Sequence, residues 1–130
     1  MTQGTVRVAA VQFGVDDNPE HNLKTCLRMI DQAAQKNPVL MVLPEFVNHC
    51  SWYRDQEHNY SVAVEIGGPF LREIGRKSLE HKAYIVANCT VRRRDKKVTG
   101  TNLLFDPNGL LIAESDKQVL MGNENNFLQP

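Results

Sequence analysis

The stretch Val39-Leu40-Met41-Val42-Leu43-Pro44-Glu45-Phe46 decides how the chain is read. Its unbroken apolar run predicts a short buried strand, because a strand covered on one face alternates apolar with polar residues and a strand covered on both does not. Pro44 has no amide hydrogen for a sheet ladder, so Glu45 is expected at or just beyond the strand's carboxyl end. A carboxylate there, between Leu43-Pro44 and Phe46, is a candidate general base. A solvated strand-end carboxylate is the alternative.

On the N-terminal side, Val6–Val11 is a second compact apolar run and predicts another buried strand. Between the two runs, Asn18-Pro19-Glu20 supplies a helix cap followed by proline at the first helical position. Leu23, Leu27, Ile30 and Ala34 then recur at helical spacing, and Asn37-Pro38 ends the helix. Strand, helix and strand in this order imply a right-handed crossover between two parallel strands.

On the C-terminal side, an irregular stretch from Phe46 to about Glu65 is rich in His, Asn, Trp and Tyr and longer than an ordinary connector. Gly67-Gly68-Pro69 opens a second helix with Phe70, Leu71, Ile74 and Leu79 on its apolar side. Strands follow at Tyr84–Val91, Thr101–Phe105 and Leu110–Ala113, joined by the charged turn Arg92–Lys97 and the turn Asp106-Pro107-Asn108-Gly109. The change from a crossover unit to hairpins predicts an α/β fold with a mixed sheet and helices on at least one face. The other face and the edges need cover that the chain does not obviously supply.

Composition excludes several functions. Fifteen basic residues balance fifteen acidic ones in 130 residues, so no global field attracts nucleic acid or an anionic membrane. The first five residues are mostly polar and no apolar run approaches the roughly 20 residues of a membrane span, which makes cytoplasm the expected location. Cys26, Cys50 and Cys89 are scattered and odd in number, without metal-type spacing or a disulfide framework. Four histidines without a tight acidic cluster make no metal site, and no cofactor is expected. Cys26 on the flank of the helical stripe and Cys89 within a strand are expected to pack as small hydrophobes. His21 and His81 are expected at the surface.

Several motifs in order resemble the opening half of the nitrilase, or carbon–nitrogen hydrolase, superfamily. They are Val8–Gln12, Asn22-Leu23, Val39–Phe46, Tyr84-Ile85-Val86, Thr101–Gly109, Lys117, Leu120 and Phe127–Pro130. The resemblance implies the N-terminal half of a nitrilase-like α-β-β-α sandwich, with residues 1–130 a single incomplete domain and the nucleophilic cysteine in a missing C-terminal half. It implies hydrolysis of non-peptide carbon–nitrogen bonds in a small amide, carbamoyl or nitrile substrate, amides ahead of nitriles, through a Glu-Lys-Cys site. The 130 residues alone are then expected to be inactive. The alternative is a non-catalytic, truncated or divergent protein of the same fold that acts in assembly.

On this match Glu45 corresponds to the general base and Lys117 to the catalytic lysine, which stabilises negative charge on the attacked group. Glu124 is a candidate for positioning or proton handling, with a solvated loop carboxylate as its alternative. His49, Trp52 and Tyr53 are candidates for shaping the substrate pocket. Ser115, Asp116 and Val119 depart from the family, which often has an aromatic and a basic residue before the lysine and a histidine two positions after it. The resemblance also implies association through the sandwich, as a homo-oligomer or with the missing half.

Overall fold

The computed structural model describes residues 4–130; Met1–Gln3, at the start of the polar N-terminal stretch, lie outside the described residues. Five strands form one mixed sheet in sequence order: β1 (Val8–Ala10), β2 (Leu40–Val42), β3 (Tyr84–Arg92), β4 (Val98–Phe105) and β5 (Leu111–Asp116). β1, β2 and β3 run parallel, with Val8, Leu40 and Tyr84 in one row, while β4 and β5 return antiparallel. The expected crossover and hairpins are therefore present, and the fold is α/β with helices flanking a mixed sheet. β4 begins three residues earlier than expected, and β5 continues three beyond its expected end at Ala113. Antiparallel pairing on both sides of β4 carries these polar ends into the ladder.

Helices α1 (Pro19–Ala34) and α3 (Pro69–His81) cover one face. Asn18 caps α1, its side chain accepting from the His21 amide at 3.1 Å, and Pro19 occupies the first turn as the sequence predicts. The most buried line of α1 is Asn22, Cys26 and Ile30. Cys26 thus sits at the centre of the helix contact instead of on its flank, and Leu23, Leu27 and Ala34 lie half-buried beside it. Asn22 tolerates burial because its amide is fully used. It accepts from the Asp16 amide at 3.0 Å and donates to the carbonyls of Asp16 and Asn48 at 2.9 and 3.0 Å. Ile30, Ile74, Met41, Ile85 and Leu103 fill the space between helices and sheet, each worth roughly 1.5–3 kcal/mol of burial. Gly75 of α3 backs onto Gly109 of the β4–β5 turn; a Cβ at position 75 would lie 2.7 Å from the Gly109 carbonyl.

The opposite face differs from expectation. β1 and β2 read as strands buried on both sides, yet Val8, Val42 and Tyr84 are exposed. The continuous apolar pattern is real, but over β1 and β2 the second face is left open among the described residues. The irregular stretch also differs, because it contains α2 (Gln56–Val62), capped by Asp55, which accepts from the His58 amide at 2.7 Å. Seven residues with one fully buried side chain, Asn59, carry no apolar stripe by which to recognise them. A smaller apolar cluster of Phe46, Ala63, Val98 and Leu128 joins α2 to the chain's C-terminal segment, and it underlies the site described below.

Between α1 and α3, the nearly buried Lys77 ammonium contacts Asp31 at 2.6 Å and Glu80 at 3.2 Å. His81 was expected at the surface but is largely covered, its Nε2 lying 2.7 Å from Asp31. Burial pushes the Asp31 carboxyl up, but Lys77 and His81 outweigh it and hold its pKa below the ordinary 3.8. A lowered carboxyl pKa contributes stability that is present above the ordinary value and lost as pH falls through the lowered one. Asp31→Asn should therefore cost about 1–2 kcal/mol at pH 7, between the exposed and buried limits for an ion pair. In urea titrations the gap from the parent protein should close in acid; a constant gap from pH 7 to pH 2 would contradict the ion-pair origin.

Candidate active site

The site begins with a break in a ladder. The Leu43 amide donates to the Val86 carbonyl at 2.9 Å, so regular parallel pairing would next bring the residue 45 amide to Asn88. Instead the Val47 amide reaches the Asn88 carbonyl, at 2.8 Å. Glu45 and Phe46 are the two extra residues, and the chain turns outward to hold them. Phe46 takes φ = 51°, the left-handed region that a bulky side chain seldom adopts. Its amide is held by the Asn88 side-chain oxygen at 2.8 Å, and Asn88 in turn donates to Asn102 on β4 at 3.0 Å.

Lys117 follows β5, where its amide donates to the Gly100 carbonyl at 2.7 Å and continues the β4–β5 pairing. Strand alternation sends Lys117 to the same side as Ser115, and Asp116 to the other. Asp116 is therefore turned away from the lysine. Its carboxylate accepts from Thr101 at 2.7 Å and from Arg93 at 2.9 Å. Arg93 also donates to Thr99 and Glu114. The acidic residue beside the lysine is neutralised on the opposite face.

Glu124 opens the short helix α4 (Glu124–Phe127). One of its carboxylate oxygens accepts from the Met121 amide at 2.8 Å, and the other lies 3.0 Å from the Lys117 ammonium. The same ammonium lies 3.0 Å from Glu45 and 5.8 Å from the centre of the Phe46 ring. Side-chain exposure is 55% for Glu45, 25% for Lys117 and 14% for Glu124. Glu45 is thus more open to solvent than its apolar neighbours in sequence suggest, because the extruded turn lifts it off the sheet. Glu124 is the covered partner.

Charge in the cluster follows from these contacts. The Glu45 carboxylate is the largest cause of a raised Lys117 pKa, partial burial opposes it and Glu124 adds to it. Burial pushes the Glu124 carboxyl up, but the Met121 amide and the Lys117 ammonium outweigh that and leave its pKa below the ordinary 4.5. Near neutral pH the lysine is a cation locked to an anionic Glu124. An ammonium so held can stabilise an oxyanion, and Glu45 presents its carboxylate at the surface beside it.

Of the three pocket candidates, Trp52 is exposed, whereas His49 and Tyr53 are buried. The His49 ring stacks on Tyr53 with centroids 5.4 Å apart, and Tyr53 meets Phe127 of α4 edge-on at 5.3 Å. Asn59 of α2 donates to the Phe127 carbonyl at 2.8 Å. The aromatic stretch therefore braces the helix that carries Glu124. Asn88, Asn102 and Asn59 were not recognised from sequence. For Asn88 and Asn102 the available signal was an asparagine beside apolar residues within a strand, where a polar side chain needs a partner.

The three cysteines are free thiols. Burial pushes Cys26 up to about 12 and Cys89 well above the ordinary thiol range, so neither forms a thiolate near neutral pH, in keeping with their reading as packing residues. Cys50 is half-buried. Among the described residues, Asp31, Glu80 and His81 are grouped closely enough to hold a metal ion, but Lys77 already places a positive charge on both carboxylates. No helix among the described residues is long and apolar enough to cross a membrane.

A mixed sheet, a helical layer and a lysine shared by two carboxylates define an α/β protein with a charge-paired candidate site. Residues 7–129 match the carbon-nitrogen hydrolase family, and the chain belongs to it. Hydrolase C26A3.11 of Schizosaccharomyces pombe is 28% identical over 109 residues, covering 82% of this chain and 33% of that protein. A nitrilase of Paraburkholderia phymatum is 29% identical over 128 residues, covering 88% of this chain and 37% of its own length. The chain therefore spans about a third of these relatives. Saccharomyces cerevisiae Nit3, a member of branch 10 of the nitrilase superfamily, superposes with a TM-score of 0.82 at 22% identity, covering 96% of this chain and 48% of that one. That likeness confirms the expected fold.

The thiols provide a direct check on this packing. In the native protein a thiol reagent should modify Cys50 alone, with all three cysteines reacting in denaturant. Native labelling of Cys26 or Cys89 at a rate comparable to Cys50 would show that the helix–sheet contact is open.

Proposed function

We propose that this chain supplies the glutamate and lysine of a carbon–nitrogen hydrolase whose nucleophilic cysteine comes from a C-terminal half. The observation that carries the proposal is the Lys117 ammonium, 3.0 Å from both Glu45 and Glu124. Family membership supports the reaction class. The geometry supports the roles, with Glu45 as general base, Lys117 as oxyanion partner and Glu124 as the anchor that orients Lys117. Strand alternation directs Lys117 toward the exposed sheet face, the side on which a second sheet would bring a thiol.

In this mechanism Glu45 takes the cysteine proton as sulfur attacks the carbon of a small amide. The developing oxyanion is held by Lys117. Glu45 returns the proton to the leaving nitrogen as the C–N bond breaks, leaving a thioester. Glu45 then takes a proton from water as hydroxide adds to the thioester carbon; the C–S bond breaks to release the carboxylic acid, and Glu45 returns that proton to the cysteine sulfur. An amide suits the site because its carbonyl oxygen becomes the anion that a fixed ammonium stabilises. A nitrile would place that charge on nitrogen. Trp52 is assigned to the pocket rim. His49 and Tyr53, buried and stacked on each other, are assigned to shaping the pocket from below through Phe127 of the helix that carries Glu124.

The test compares two polypeptides against a panel of small amides, carbamoyl compounds and nitriles. Residues 1–130 alone should hydrolyse none of them, whereas the chain joined to the C-terminal half should hydrolyse at least one. Glu45→Gln in the joined protein should lower kcat about 100- to 10,000-fold, the usual contribution of a positioned acid–base group. Turnover by residues 1–130, or full activity in the Glu45→Gln protein, would overturn the proposal. A joined protein inert toward the whole panel would favour a non-catalytic role in assembly.

A further inference from the structure

The amides of Phe46 and Val47, the two residues directly after Glu45, both end on Asn88. Phe46 donates to its side-chain oxygen and Val47 to its main-chain carbonyl, each at 2.8 Å. We propose that Asn88 is the positioning residue for Glu45, acting through Phe46 to hold the extruded turn in the one conformation that presents the carboxylate to Lys117. The inference rests on the Glu45–Lys117 pairing proposed above and names what maintains it.

Three features of the turn require such a holder. Phe46 has φ = 51°, a conformation that persists only where its surroundings over-determine it. The Phe46 amide is half-covered, so loss of its acceptor would leave it unpaired and favour a different turn. The Phe46 ring also has a single seat. It lies over Gly100, where a Cβ would come within 3.0 Å of its Cε1, and beneath the Lys117 ammonium at 5.8 Å. Rotation of this turn therefore displaces Glu45 and the surface under Lys117 together.

The orientation of Asn88 is itself determined. Its NH2 donates to the Asn102 side-chain oxygen at 3.0 Å, which leaves its carbonyl oxygen for Phe46. Asn88 and Asn102 are direct partners in the β3–β4 register, so a rigid hairpin carries the holder. No hydrogen bond joins Asn88 to Glu45 or Lys117 in the described residues, which makes its role one of positioning. The carboxamide matters for its acceptor. Leucine matches its size without accepting, and aspartate accepts while Asn102, exposed on β4, turns its amide to donate.

The test uses the 130-residue chain, isotopically labelled, and follows by NMR the pH titration of Lys117 and hydrogen exchange at the Phe46 amide. Glu45→Ala should lower the Lys117 pKa, because Glu45 is the largest cause raising it. Asn88→Leu should lower it by at least half as much and speed Phe46 exchange at least tenfold. Asn88→Asp should preserve both properties, and exchange in α1 and α3 should not change in either variant. If Glu45→Ala lowers the Lys117 pKa and Asn88→Leu leaves it at the parent value, the positioning role is wrong and the pairing stands. If Glu45→Ala itself has no effect, the pairing fails and the positioning role fails with it. Should Asn88→Leu not fold, Asn102→Ala replaces it, with a smaller drop expected; parent behaviour there would overturn the proposal.

Discussion

The parallel pairing of β2 with β3 stops at Leu43 and resumes at Val47, and the rest of the site is arranged around the two residues left over. A regular strand would have carried Glu45 into the ladder beside Asn88. Pro44 cannot donate to a ladder, so the interruption falls where a missing amide costs least. The turn that results places Phe46 in a seat between Gly100 and Lys117 and sets Glu45 above the sheet end. β3 and β4 supply the fixed frame through Asn88 and Asn102. The carboxylate is exposed, but the backbone after it is held on Asn88 through the Phe46 and Val47 amides.

The lysine is held by a different logic. Glu124 is covered, is lowered in pKa by an amide and an ammonium together, and belongs to a short helix tied down by Asn59, Tyr53 and Leu128. Lys117 is therefore anchored to one carboxylate and shared with a second that faces solvent. The pair is asymmetric. One anion is covered together with the cation, and the other stands at the surface. Asp116, adjacent in sequence, takes no part because the strand directs it to the opposite face and Arg93 neutralises it there.

The exposed face of the sheet gives the site its setting. Val8, Val42 and Tyr84 lie on that face and carry the apolar character of a core surface. Asn88, Asn102 and Lys117 occupy its far end. Apolar side chains on β1, β2 and the start of β3 and polar ones toward Lys117 thus divide this face in two. The chain spans about a third of its curated relatives.

The sequence by itself determined the periodic elements and the ordered motifs. The run Val39–Leu43, the Asn18-Pro19 cap, the stripe on α1 and the Asp106–Gly109 turn are local patterns, and local chemistry suffices to read them. It marked Glu45 by its place at a strand end, and Lys117 and Glu124 through the resemblance carried by the ordered motifs around them. Only the tertiary structure brought the three within 3.0 Å, since 72 residues separate Glu45 from Lys117 and no local pattern encodes their meeting. It alone put Cys26 at the centre of α1's contact, buried His49 and Tyr53 under α4, and turned Asp116 away from Lys117. It also gave Asn88 its place under the turn, because a side-chain amide acquires a role only from the partners that folding puts within its reach.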